Sequence, residues 1–242
     1  LCGEVWFNEL RIAGIDNNGG WASIGSIDGN MADFLNFSGN TRYSSIGFGS
    51  IDQSPNQRTR EELFQYDFTT AGDVAKLLPA SFGIQIPLNY SVGEVIISPE
   101  FDPFYQDIKL KDRIDASSSN DEKNKIREQA IDYIKRKNIS IVGIKKISNL
   151  DKKKFYNIEN FDFSYSFNEI YHHDYEIASQ KNKNIRLQGN YGYNFQSLGI
   201  SPFSEIKFLK NKKYLEWLRN FNFNPLPSSF SFSANINRTL NS

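Results

Sequence analysis

The chain has 242 residues, and its 28 lysines and arginines balance 28 aspartates and glutamates to a formal charge of zero. That balance denies it the basic field on which non-specific nucleic-acid binding depends, so no nucleic acid is expected as a partner. The single cysteine, Cys2, excludes an internal disulfide and a cysteine-based zinc site.

Aromatic residues make up 14%, mostly 20 Phe and 12 Tyr. No run of eighteen apolar residues exists, so the sequence holds no transmembrane helix. The mean hydropathy of −0.52 does not decide between water and membrane, because a membrane barrel encloses its polar half. The first residue is Leu1, with no basic segment leading into an apolar one, and the opening residues already read as mid-strand. An internal piece of a longer protein is the expectation.

Residues 5–12 alternate as a strand, Asp16 to Gly20 supply a tight turn, and residues 21–28 return as its partner arm. Residues 34–44 alternate again, with Gly39 on the apolar side as an expected bulge or bend. The glycines of residues 44–60 lack the lysine and the helix of a phosphate-binding loop, which leaves a long surface or lumen loop. Residues 62–70 form the next strand, and 73–78 a helical turn stopped by Pro79. Residues 82–93 put Ile84, Ile86 and Leu88 opposite Gln85 and Asn89, with an irregularity expected at Pro87.

From 98 to 137 the alternation fails, and an insertion is predicted. Within it, Ile126, Ala130 and Ile134 fit one stripe of a charged helix over 121–137. Its carboxylates Glu100, Asp102, Asp107, Asp112 and Asp115 fit no calcium-loop spacing and read as a solvated acidic loop. Residues 139–147 resume as a strand that turns at 149–152. Residues 161–175 are the clearest strand of all, with Phe161, Phe163, Tyr165 and Phe167 on one side and Asp162, Ser164, Ser166 and Asn168 on the other. Residues 185–196 repeat the division, with Tyr191 and Tyr193 against Asn190 and Asn194. A basic amphipathic helix is predicted over 204–220, lying on a membrane surface or packed over a sheet end. Residues 229–238 close the series with Phe230 and Phe232 against Ser231 and Asn235.

Nothing in this sequence builds an active site. His172 and His173 are neighbours on a strand, so their rings leave opposite faces and do not chelate together. Neither HExxH nor GxSxG occurs. No enzyme, cofactor or metal is expected.

Segments of about ten residues, alternating and ring-rich on one side, fit an outer-membrane barrel. A soluble sandwich also alternates, but its outer side usually collects Lys, Glu and Thr. Here the polar side carries Ser, Asn, Gln and Gly, which favours the barrel and leaves the sandwich open. In the barrel reading Phe161, Phe163, Tyr165, Phe167, Ile84, Ile86, Leu88, Tyr191, Tyr193, Phe230 and Phe232 face lipid. Ser164, Ser166, Asn168, Gln85, Asn89, Asn190, Asn194, Ser231 and Asn235 face the lumen.

Several stretches are similar to the SprA/Sov family of Bacteroidota. They are VWFNELRI with GGWAS, GFGSIDQ with RTREE, FDPFYQDIKLKD, FYNIENFDFSYSFNEIYHHDY and FNFNPLPSSFSF, in family order along nearly the whole chain. Residues 115–137 and 145–154 carry no such likeness. The resemblance implies an all-β fold, part of one very large antiparallel transmembrane barrel in the cell outer membrane. It implies the translocon of type IX secretion, which passes folded cargo proteins bearing a C-terminal sorting domain and supports gliding motility. The partners it implies are that cargo, a PorV-type shuttle barrel, a plug protein and outer-membrane lipid. An ordinary porin would instead be a complete barrel with its own signal and a C-terminal aromatic residue, whereas this sequence ends at Asn241-Ser242.

Overall fold

The computed structural model describes residues 18–32, 34–147, 154–196, 198–203, 216–225 and 227–242. The strand predicted at 5–12, the turn at 149–152 and most of the helix at 204–220 lie outside them. Of that helix only the turn Glu216–Arg219 is described.

The fold is all-β. Nine strands form a single antiparallel sheet: β1 (Ala22–Met31), β2 (Leu35–Ser44), β3 (Glu61–Asp73), β4 (Ile84–Gln85), β5 (Pro87–Pro99), β6 (Asp132–Lys146), β7 (Phe161–His173), β8 (Gln180–Asn194) and β9 (Ser229–Asn241). They pair in the order β1-β2-β3-β5-β6-β7-β8-β9, and β4 continues the line of β5 along β6. Each strand therefore lies beside its neighbour in sequence, the up-and-down topology that short connections favour. Among the described residues the sheet is open: β1 and β9 end the order and do not pair with each other.

Two helices, α1 (Leu110–Ala116) and α2 (Asn120–Ala130), lie in the β5–β6 connection. The first turn of α2 is capped by the Ser119 hydroxyl, which accepts from the Asp121 amide, and Asp121 and Glu122 suit the positive end of the helix dipole.

The predicted insertion is therefore shorter than 98–137. β5 runs on to Pro99, past the expected end at 93, because Val95, Ile96 and Ile97 are apolar on both faces and hide the alternation. The helix stops at Ala130, and Ile134 belongs to β6. Lys135 and Lys137, which suggested a helix surface, instead stand opposite Glu94 and Glu169 on adjacent strands. β8 likewise begins at Gln180, before the expected 185, in a run polar on both sides.

Gly39 makes no bulge. It pairs in register with Ile27 and Phe68, and a Cβ there would sit 3.1 Å from the Ile27 Cγ2, so it serves close packing of the face. The bulge lies in β6, where the register with β7 shifts between Ile141 and Ile144. Gly143 supplies the positive φ of +79° that it needs, and its N–H donates to the Ser164 hydroxyl at 3.0 Å. The irregularity expected near Pro87 is present at Ile86, which leaves the ladder between β4 and β5. Its N–H donates to the Asp73 carboxylate at 2.9 Å and its carbonyl accepts from the Val74 amide. Asp73 also caps the 3-10 turn Val74–Leu77, as the sequence predicts before Pro79.

Candidate functional site: the two faces of the sheet

The register sorts the side chains into two faces. Phe161, Phe163, Tyr165 and Phe167 of β7 stand opposite Tyr191, Gly189, Leu187 and Ile185 of β8. On the far side of β8, Tyr193, Tyr191, Gly189 and Leu187 meet Phe230, Phe232, Ala234 and Ile236 of β9. Toward β5, Tyr165 and Phe167 meet Ile141 and Ile139, which meet Leu88 and Tyr90. Phe68, Phe37 and Ile27 extend the same face through β3, β2 and β1.

Ile84 shares this face through its pairing with Lys146, one residue beyond the Lys145–Asp162 pair. Of the residues assigned to it from sequence, only Ile86 has left the ladder.

The opposite face is built of short polar groups. Ser164, Ser166 and Asn168 face Gln188, Arg186 and Asn184, and Asn190 lies between Asp162 and Ser233. Asn194 pairs with Ser229, Ser231 with Gly192, Asn235 with Gln188, Gln85 with Lys145, and Asn89 with Ala71 and Ser140. Side-chain bonds run along this surface: the Gln188 amide donates to the Asn190 carbonyl at 3.1 Å, and Asn190 donates to Asp162 at 2.7 Å. Gln85, Lys145, Asp162, Ser164, Gln188 and Asn190 line one shallow hollow beside the bulge. The polar character fades at one end, where Leu63, Val95, Ile97, Ile134 and Ile170 occupy the same face.

Among the described residues neither face of the sheet is covered by a second layer. Phe163 is 55% exposed, Phe232 62% and Ile236 67%, and among the described apolar residues only Leu110, Ala130 and Tyr191 are buried. The accessible surface is 18380 Å², whereas a compact monomer of this mass exposes about 11,000 Å² by the usual scaling. A water-soluble sandwich would have laid one aromatic face against another.

Tyr191 is sheltered locally. Phe155, from the β6–β7 connection, folds back over it with ring centroids 5.6 Å apart and also meets Tyr193, Phe195 and Phe230. The Tyr191 hydroxyl donates to the Phe155 carbonyl, and the Asn160 side chain donates to the carbonyls of Lys154 and Phe155 at 2.8 and 3.0 Å. These contacts gather rings at one end of the aromatic face. At the other end stand Tyr133, Tyr171 and His173, whose rings are 5.3–6.1 Å apart. Phe161 and Tyr171 are ten residues apart along β7, which at about 3.3 Å per residue puts the two ring clusters about 33 Å apart along the strand.

The connections hold their own polar contacts. Asp102 is 1% exposed; it pairs with Arg113 and accepts from the amides of Phe104 and Tyr105 at 2.8 and 3.2 Å. The Arg113 guanidinium also lies 4.7 Å from the centroid of Tyr105. Asp174 closes the β7–β8 turn by accepting from Glu176 and Ile177 at 2.8 and 2.6 Å, and the Ile177 amide first of all holds its carboxyl below the ordinary range. Of the acidic residues in the β5–β6 connection, Glu100 pairs with Lys109 and Asp102 with Arg113. Among the described residues no group of three potential ligands could hold a metal.

The sheet, ring-bearing on one side and amide-bearing on the other, defines an all-β protein with two chemically distinct surfaces. Residues 1–114 match the SprA_N family, described as a motility related/secretion protein, and this part of the chain is similar to that family. The match ends within α1, so β1 to β5 fall inside it, while β6 to β9 extend the same sheet beyond it. No curated protein matches the chain.

Proposed function

We propose that this chain is a section of the wall of the outer-membrane protein-conducting channel of type IX secretion, which passes folded cargo to the cell surface and supports gliding motility. The observation that carries this reading is the bare aromatic face backed by a face of Ser, Asn and Gln. Lipid covers rings at no cost in hydrogen bonds, and a wide aqueous passage needs hydroxyls and amides that bind water without gripping the cargo. Apart from the two-residue β4, the strands of ten to fifteen residues reach or exceed the roughly 9–11 that cross a bilayer when tilted. Antiparallel up-and-down pairing is the arrangement that membrane barrels use.

In this reading the outer edges of β1 and β9 continue into further strands of a very large barrel. The passing partners are proteins with a C-terminal sorting domain, with a PorV-type shuttle barrel and a plug controlling passage. The wall does no chemistry; its role is to hold an opening and exclude lipid from it.

The test is a pair of adjacent substitutions in the full-length protein. Phe163→Lys, which puts a charge toward hydrocarbon two residues in from the Phe161 ring cluster, is expected to cost less than the roughly 2–4 kcal/mol of the midplane and still to impair outer-membrane assembly. Ser164→Lys is expected to assemble normally and to alter cargo passage. Equal tolerance of the two would refute the orientation.

A further inference from the structure

The apolar rows of the aromatic face give way to charge at one end. Glu94, Lys135, Tyr171 and Lys181 stand in one cross-strand row, and Val92, Lys137, Glu169 and Lys183 in the next. Arg238 lies one strand over, opposite Ile185. Five basic residues thus meet two acids, Glu94 and Glu169. At the opposite end, the row of Phe161, Tyr191 and Phe232 carries one charge, Lys146.

The pairing within the patch does not exhaust it. Lys135 lies 2.7 Å from Glu94, and Glu169 takes both Lys181 and Lys183 at 3.4 Å. An ammonium has three donors, so one carboxylate contact leaves donors for an outside acceptor. The patch is about 15 Å across β5 to β8 at the usual strand spacing, the scale of a headgroup rather than of a protein interface. Tyr171 and Tyr133 stand in and beside these rows, where ring and hydroxyl meet at a membrane boundary. Lysine stems can lie along the apolar rows and lift their charge to that boundary.

We infer that Lys135, Lys137, Lys181 and Lys183 form a binding site for the phosphate of a membrane lipid headgroup, on the lipid side of the wall. The inference rests on the channel-wall reading, because only a sheet face in lipid brings a headgroup against this patch. Its net positive charge selects an anionic headgroup over a zwitterionic one.

The full-length protein, extracted from outer membranes in detergent, is titrated with diphosphoryl lipid A, dephosphorylated lipid A and inorganic phosphate. Bound lipid is read by native mass spectrometry. Diphosphoryl lipid A is expected to bind, and the triple variant Lys135→Gln, Lys181→Gln, Lys183→Gln to weaken it roughly tenfold or more. The corresponding arginine triple variant is expected to retain binding, as is Lys123→Gln with Lys125→Gln in α2. Equal binding of the two lipid A forms by the unaltered protein would overturn the inference, and so would equal binding by the glutamine variant. Displacement of lipid A by inorganic phosphate at similar concentration would mark a free-anion site and also overturn it. If the glutamine variant does not assemble, the comparison of the two lipid A forms on the unaltered protein still decides. A protein absent from outer membranes fails the channel-wall reading before any titration, so the two failures are separable.

Discussion

The β5–β6 connection and the body of the sheet treat water in opposite ways. Between Glu100 and Ile131 the chain folds on itself around a small core, burying Leu110, Ala130 and the Asp102 carboxylate against a partly exposed Arg113. The rings of Phe104 and Tyr105 stay about half exposed at its rim. Over β7 to β9 the same chain leaves Phe163, Phe232 and Ile236 more than half exposed. A polypeptide that can bury side chains where water surrounds it has no physical reason to leave whole rows of rings in water elsewhere. At about 25 cal/mol per Å² of apolar surface, those rows are too costly to wet. In the channel-wall reading the contrast has one cause: the connection lies in water and the ring-bearing face of the sheet in lipid.

Four changes break or sharpen this contrast. The largest effect is expected from Asp102→Ala, which strands Arg113 and the backbone amides of Phe104 and Tyr105. It costs roughly 3 kcal/mol locally, the low end for a buried ion pair that loses one partner, because Arg113 reaches water. Limited proteolysis should then cut within 100–131 while β7 to β9 stay protected; loss of the entire sheet would show that the two regions are not separate. Next comes Tyr165→Lys, at roughly 2–4 kcal/mol, read as failure of outer-membrane insertion, against Ser166→Lys, which should insert.

A smaller loss is expected from Gly143→Ala. Its φ of +79° places an L residue in the left-handed region, at a cost of about 1–2 kcal/mol. Gly192→Ala in β8, with nothing within 4 Å of the added carbon, is the matched control. Denaturant midpoints in detergent should fall for the first variant and not for the second. The smallest effect is at Asp174. Because its folded carboxyl is held below the ordinary range, its contribution is fully present above the ordinary carboxylate pKa and is lost as pH falls through the lowered one. The protection of the Glu176 and Ile177 amides from exchange, measured against the intrinsic rate at each pH, should fall on acidification, and Asp174→Asn should remove that pH dependence.

The sequence made the sheet legible wherever one face was apolar and the other small and polar. Phe161 to Phe167 against Asp162 to Asn168 leaves no helical alternative, and the strand begins where the alternation begins. Legibility failed where both faces carried the same kind of residue. Val95 to Ile97 are apolar on both sides, Gln180 to Asn184 polar on both, and neither stretch shows a period. At Lys135 and Lys137 the determining partners, Glu94 and Glu169, lie on other strands, so local composition favoured a helix that tertiary pairing overrules. The signal that could have found this strand was Tyr133 and Ile134, two strong strand formers after the last helical Ala130. The division into two faces was readable from the residues alone, but the charged rows ending the aromatic face needed the register, which sequence does not state. The bulge at Gly143 was equally hidden, since an isolated glycine in a strand marks a candidate position and only the pairing on both sides fixes it.

The central claim is that rings meet hydrocarbon and amides meet water on the same strand. Spin labels at Phe163→Cys, Ser164→Cys, Tyr165→Cys and Ser166→Cys, in a cysteine-free background of the full-length protein in bilayers, measure it residue by residue. The account predicts high oxygen and low nickel-chelate accessibility at 163 and 165, with the reverse at 164 and 166. Uniform accessibility along the four positions, or chelate access at 163 and 165, would contradict it.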